Sequence, residues 1–203
     1  VSLTSITIPN SVKTIGEKAF RGCGIKSIDL PNGVTKIEMH AFVNCTNLTT
    51  ITLPETIASI GNEAFYGCSN LEVVSLPNSI TYLGNDVFEG CTGTLVINNV
   101  DILTANETSD WWLNGSNFTK VVIGDNMSKI GALTFKGYTP LVELIIPNSV
   151  TKIGSSAFCD CTSLSTIYCK ATTPPSCEST AFKNTSIEKI YVPMDSVEAY
   201  KAS

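Results

Sequence analysis

The sequence is poor in the residues that most enzymes and nucleic-acid readers depend on. It has one histidine, two tryptophans and few charges, since Asp, Glu, Lys and Arg together make up only 15% of its 203 residues. The net charge of −5 lacks the basic footprint that releases counterions from phosphates, so nucleic acid is excluded as a partner. The same balance excludes a polybasic membrane-surface role. No apolar run approaches bilayer length, so the chain is not expected to span a membrane. No Gly-rich phosphate loop, nucleophile elbow or pair of catalytic carboxylates is present. His40 maps to an outward position with no Ser, Cys or carboxylate partner at motif spacing, and is expected to be a plain surface residue. No enzyme activity and no cofactor are expected. Val1-Ser2-Leu3 enters a repeat directly without a signal peptide, so the natural protein is expected to extend upstream.

What the chain does have is a hydrophobic content of 43%, many Thr, Ser and Asn residues, and an internal repeat. Ala-Phe recurs at Ala19-Phe20, Ala41-Phe42, Ala64-Phe65, Ala157-Phe158 and Ala181-Phe182, with Val87-Phe88 and Thr134-Phe135 in the same slot. Successive Phe residues lie 22, 23, 23, 47, 23 and 24 apart. The gap of 47 is two periods, and Trp112 divides it as 24 plus 23. An aliphatic-Pro step forms a second column at Ile8-Pro9, Leu30-Pro31, Leu53-Pro54, Leu76-Pro77, Ile146-Pro147 and Val192-Pro193. Ile-Gly or Leu-Gly forms a third, at residues 15, 60, 83, 130 and 153. The unit is about 23 residues long, within the leucine-rich-repeat range.

Each position has a physical reading. In Thr50-Ile51-Thr52-Leu53 polar and apolar residues alternate, as in a strand with one buried face. Proline removes a ladder donor and ends it. A short extended piece such as Ser149–Ile153 supplies two more inward aliphatics. The Ala-Phe segment is predicted to form a single helical or 3₁₀ turn that packs Phe inward. One coil cannot bury its own apolar face, whereas stacked coils share a continuous core. The predicted fold is a β-rich α/β solenoid, a leucine-rich-repeat right-handed superhelix of about nine coils with a parallel concave sheet. It is read as a single domain, 1–203, with a degenerate coil at about 94–118. Asp195 and Glu198 read as a capping box, opening a helix at about 195–203 that covers the last coil.

The pattern resembles the BspA-like leucine-rich-repeat family of bacterial cell-surface proteins over essentially the whole chain. The resemblance is strongest at Ile146–Gly154 with Ala157-Phe158, at Tyr168–Pro175, and at Ile190–Pro193 followed by Ser196–Tyr200; it is weakest at 94–118. It implies location at the cell surface or outside the cell, adhesion to a host or bacterial surface protein, and no catalysis.

Five of the eight cysteines, Cys23, Cys45, Cys68, Cys91 and Cys161, share one column and are expected as free buried thiols. Gly115, Tyr138 and Thr185 are aligned with the same column. Cys169 and Cys177 occupy two inward positions of one coil, which leaves a disulfide between them open. Cys159 is expected to be exposed on the convex side. A zinc site from Cys159, Cys161, Cys169 and Cys177 would need a spacing that matches no ligand pattern. Trp112 is expected in the core, and Trp111, too large for an Ala slot, is expected to be partly exposed.

The outward column of the concave sheet reads Thr7, Asp29, Thr52, Ser75, Asn98, Val122, Ile145, Tyr168 and Tyr191. It turns apolar at Val122, and its last four members make a stripe of ~14 Å at ~4.8 Å per strand. Beside them run Lys120, Glu143, Thr166 and Lys189. Tyr offers contact area with a polar tip, so these eight residues are the candidate ligand-binding site. Alternatives to a protein partner are a glycan, suggested by Trp111 and the tyrosines, or a structural spacer with no ligand. Val, Ile and Tyr are also simply good strand formers.

Overall fold

The computed structural model describes residues 3–98 and 111–202, excluding the side chain of Trp111. They form two compact units, one from residues 3–95 with 111–118, the other from 96–98 with 119–202.

The sequence period sets the register in both. Parallel pairing joins Thr14 to Lys36, Ile37 to Ile60 and Ile60 to Leu83 in the first unit. It joins Lys129 to Lys152 and Ile153 to Cys177 in the second. Each step is one repeat long, so every residue stacks on its own equivalent. The wider sheet follows the same rule. Ser27–Asp29 pairs with Thr50–Thr52 in the first unit, while Glu143–Ile146 pairs with Thr166–Cys169, and that with Lys189–Tyr191, in the second. Burial alternates along these strands, as in exposed Ser27, buried Ile28 and exposed Asp29. The class is the expected one, a parallel-sheet β-solenoid. It has about seven turns where the sequence count gives nine. Among the described residues, seven short second strands account for the difference. That slot of the degenerate coil lies outside the described residues, and in the last coil it is replaced by helix.

The core is a stack of identical slots. Phe20, Phe42, Phe65 and Phe88 lie face to face with centroids 5.1, 5.2 and 5.5 Å apart. Phe135, Phe158 and Phe182 do the same at 5.3 and 5.2 Å. Hydroxyl side chains bind coil to coil on the outside. Thr35, Thr81 and Thr151 each donate to a carbonyl of the preceding coil, at Lys13, Ala58 and Ser128. That is where the abundant Thr and Ser go.

The Ala-Phe segment is not helical. Alternate N–H groups leave the coil: Phe20 donates to Ala41 O and Gly22 to Val43 O, both at 2.8 Å, while Ala19 and Arg21 close tight turns on Gly16 and Lys18. A helix would need all of those donors within the coil. The turns need left-handed backbone instead, at pairs four apart such as His40 and Asn44, Glu63 and Gly67, and Ser156 and Asp160.

The degenerate coil departs from the counted register. Leu95 and Ile97 both face inward, so Val96, not Asn98, takes the outward place between them. Gly90 N–H reaches Gly115 O at 3.0 Å, which aligns Gly115 with Glu89 rather than with the Cys91 column. No proline marks a strand end between 94 and 118, and without that mark the count slips by two. Trp112 is buried as expected, edge-on to Phe88 with centroids 6.3 Å apart. Phe118, which the repeat count did not place, packs against the same ring at 5.7 Å.

The chain's last element also differs from expectation. A 3₁₀ turn, Met194–Ser196, runs into a helix at Val197–Lys201. Ser196 N–H bonds to Pro193 O at 2.9 Å, so the turn begins ahead of Asp195. Asp195 therefore lies inside the turn and forms no capping box, while Glu198 bonds Lys201 at 2.8 Å. The helix buries none of its residues. It leaves Ile190, which pairs with buried Ile167, 55% exposed, so the last coil is not covered as expected. Among the described residues no helix is long and apolar enough to cross a membrane.

Candidate functional site

Strand pairing in the second unit places the predicted residues as two neighbouring rows. Val122 lies opposite Ile145, Ile145 opposite Tyr168, and Tyr168 opposite Tyr191. Lys120, Glu143, Thr166 and Lys189 pair in the same order. The rows form because side chains two apart on a strand share a face, and in-register parallel stacking sets equivalents side by side. Val96 extends the first row. Gly124 N–H donates to Ile97 O at 2.8 Å, which sets Ile97 opposite Ile123 and Val96 opposite Val122. The repeat count gives this place to Asn98 and sets Val96 in the neighbouring row; the alternation of Leu95 and Ile97 was the signal that could have corrected it.

Val96, Val122 and Ile145 are half-buried, and the row ends in two exposed rings. Tyr168 and Tyr191 stack with centroids 4.7 Å apart and planes 9° from parallel. In the adjacent row Lys120 and Glu143 form an ion pair, and Lys189 is exposed. Chemically the site is an apolar band ending in a two-ring platform, edged by charge of both signs. It has no nucleophile–base pair. It can offer desolvation, ring contact and peripheral hydrogen bonds.

The other candidates lie elsewhere. Cys169 is buried and Cys177 exposed, both as free thiols. Cys159 is buried, contrary to expectation, and its thiol lies 3.4 Å from Asp160 Oδ2. Repeat stacking sets it between Lys136 and Lys183 of the adjoining coils, whose charges reach it. The cysteine column does more than fill space. Cys45, Cys68, Cys91 and Cys161 each donate to a Phe carbonyl of the preceding coil at 2.9–3.1 Å. His40 does have a carboxylate neighbour: its Nε2 lies 3.2 Å from Glu63 Oε2, and its Nδ1 is buried without a hydrogen-bond partner. Stacking brings the two together across one repeat, a separation that motif spacing within a coil cannot reveal. Among the described residues no three His, Cys, Asp or Glu are grouped to hold a metal ion. The side chain of Trp111 lies outside the described residues.

No protein with a curated description matches the chain. Among solved structures, a leucine-rich repeat protein from Eubacterium ventriosum is 22% identical with a TM-score of 0.49, covering 93% of this chain and 66% of its own. A leucine rich cell surface protein from Faecalibacterium prausnitzii is 23% identical with a TM-score of 0.39, covering 97% of this chain and 56% of its own. The pneumococcal vaccine antigen PcpA is 18% identical with a TM-score of 0.42, covering 91% and 61%. This chain thus spans less than two thirds of the length of each. The BspA type leucine rich repeat region matches in six copies over residues 1–109 and 109–202, and the chain therefore belongs to that leucine-rich-repeat family.

Proposed function

We propose that this chain is a non-catalytic recognition module, displayed at the cell surface or outside the cell, that binds a host or bacterial surface protein. The contact is made by Val122, Ile145, Tyr168 and Tyr191, extended by Val96 and bordered by Lys120, Glu143, Thr166 and Lys189. On this reading the two units act as one leucine-rich-repeat domain. The observation that carries it is the Tyr168–Tyr191 stack, two exposed parallel rings closing an apolar row. Tyrosines of this kind anchor protein interfaces, because a large rigid ring costs little side-chain entropy when it is covered. The charged row beside it would set orientation and partner choice more than affinity. The family assignment supports the surface location.

The test is binding of the purified chain to host matrix proteins and bacterial surface proteins, with a glycan array alongside. The comparison is a Tyr168→Ser/Tyr191→Ser double variant of unchanged circular dichroism. Protein binding that the double variant loses supports the reading. Adhesion that survives both substitutions sinks the stripe, binding to glycans alone makes it a carbohydrate platform, and binding to neither leaves a spacer.

A further inference from the structure

Lys189–Tyr191 is the last strand of its sheet and pairs on one side only, with Thr166–Cys169. Lys189 N–H donates to Ser165 O at 3.1 Å, so Lys189 turns its main-chain groups toward that neighbour. Tyr191 repeats the direction two residues on, and the N–H and C=O of Ile190 between them face away from the sheet. The turn and helix that follow leave this edge open. Ile190 is 55% exposed, whereas its equivalents Ile167 and Leu144, with strands on both sides, are buried. Met194, just beyond, is 89% exposed. Two side chains stand beside the open backbone groups. Tyr191 has one ring face against Tyr168, which turns its other face toward the edge. Lys189 is exposed and forms no ion pair among the described residues.

We propose that this edge is a twofold contact, in which Lys189–Tyr191 of a second copy of the chain pairs antiparallel about Ile190. In an antiparallel ladder, hydrogen-bonded pairs alternate with closer pairs that exchange no bond. Ile190 facing Ile190 of the partner subunit is a pair of the first kind. Each N–H donates to the other's carbonyl, which uses the two groups that the edge leaves open. The flanking pairs are the close kind, and they set Lys189 opposite Tyr191 of the partner subunit, once on each side. Each ammonium then meets the ring face that Tyr168 does not cover. The two isoleucines cover each other at the end of the inward column. A twofold axis normal to the sheet also keeps both tyrosine pairs on one face. The contact is self-complementary, so it consumes the open edge of both copies and stops at two. Ile190 is not among the residues proposed to bind a surface protein, so the two readings can fail separately.

The purified chain is followed by sedimentation velocity from micromolar to millimolar concentration, with amide exchange read by NMR at both ends of that range. A reversible monomer–dimer equilibrium is expected, weak because a contact centred on three strand residues is smaller than a standard interface. As the dimer fills, exchange of the Ile190 amide should slow about five-fold, the factor for one added hydrogen bond. The Lys189 amide, already bonded within the chain, should change less. Ile190→Lys, with unchanged circular dichroism, should stay monomeric and keep whatever adhesion the wild type shows. Lys189→Glu, which leaves the backbone groups in place, should dimerise several-fold more weakly. A wild type that is monomeric at millimolar concentration overturns the contact, as do assemblies that grow beyond two. An Ile190→Lys variant that still dimerises, or an Ile190 amide that exchanges equally fast in monomer and dimer, overturns it too.

Discussion

The Cys68 thiol donates to the main-chain carbonyl of Phe42 at 3.1 Å, in a buried site that also accepts the Cys45 N–H. The column thus joins coils by a hydrogen bond as well as by packing. Cys68→Ala removes the donor and leaves a small void, with an expected cost of about 1–2 kcal/mol in urea unfolding. Cys68→Ser should lose less, because its hydroxyl can still reach the carbonyl.

Alkaline pH should destabilise the fold through the same column. The Cys45 thiol is pushed far above its ordinary range by its contact with Cys68 and then by burial. For Cys68 the contact with Cys45 pulls downward, but Cys91 and burial outweigh it. Both groups stay protonated in the folded chain while the unfolded chain ionises at about pH 8.5. The unfolded state then holds fewer protons, so stability is full below that pH and declines above it. Denaturation midpoints measured from pH 7 to 10 should fall in the wild type and fall less in Cys45→Ala/Cys68→Ala.

The phenylalanine stack should show its position dependence in mutation. Phe65 is fully buried between Phe42 and Phe88, whereas Phe182 has a ring on one side only and is half-buried. Phe65→Ala should cost about 3–5 kcal/mol and Phe182→Ala clearly less. Equal losses by calorimetry would contradict the nearest-neighbour account of stability.

Leu133 has a φ of 63° and is exposed, an uncomfortable backbone for a side chain of that shape. Equivalent slots elsewhere hold Lys18, His40, Glu63, Asp86 and Ser156. Asparagine tolerates the left-handed region better, so Leu133→Asn should stabilise by up to about 1 kcal/mol. A lowered Tm would mean that Leu133 contributes a contact worth more than its strain.

Asp160 accepts a hydrogen bond from Asn184 at 2.7 Å, and this bond, followed by that of Cys159, holds its carboxyl below the ordinary range. A lowered carboxylate stabilises the fold above its unfolded pKa, and that contribution goes as pH falls through the folded value. Asn184→Ala should move the Asp160 titration upward in a carboxyl NMR experiment. An unmoved titration would show that Asn184 is not the cause.

The sequence by itself determined the period, and with it the register, because an interval of 22 to 24 residues between Phe slots forces equivalents to stack. It therefore placed the pairings from Val122 to Tyr191 and from Lys120 to Lys189 correctly. It failed at Asn98, where proline no longer marks the strand end, and the inward pair Leu95 and Ile97 decided for Val96. It also missed contacts that are not between column equivalents. The His40–Glu63 contact, the burial of Cys159 and the thiol-to-carbonyl bonds all join residues about a period apart, which no local motif registers. The Ala-Phe turn is the sharpest case. Local propensity favours a helical turn there, but the tertiary structure spends alternate N–H groups on the next coil, and those bonds set the backbone.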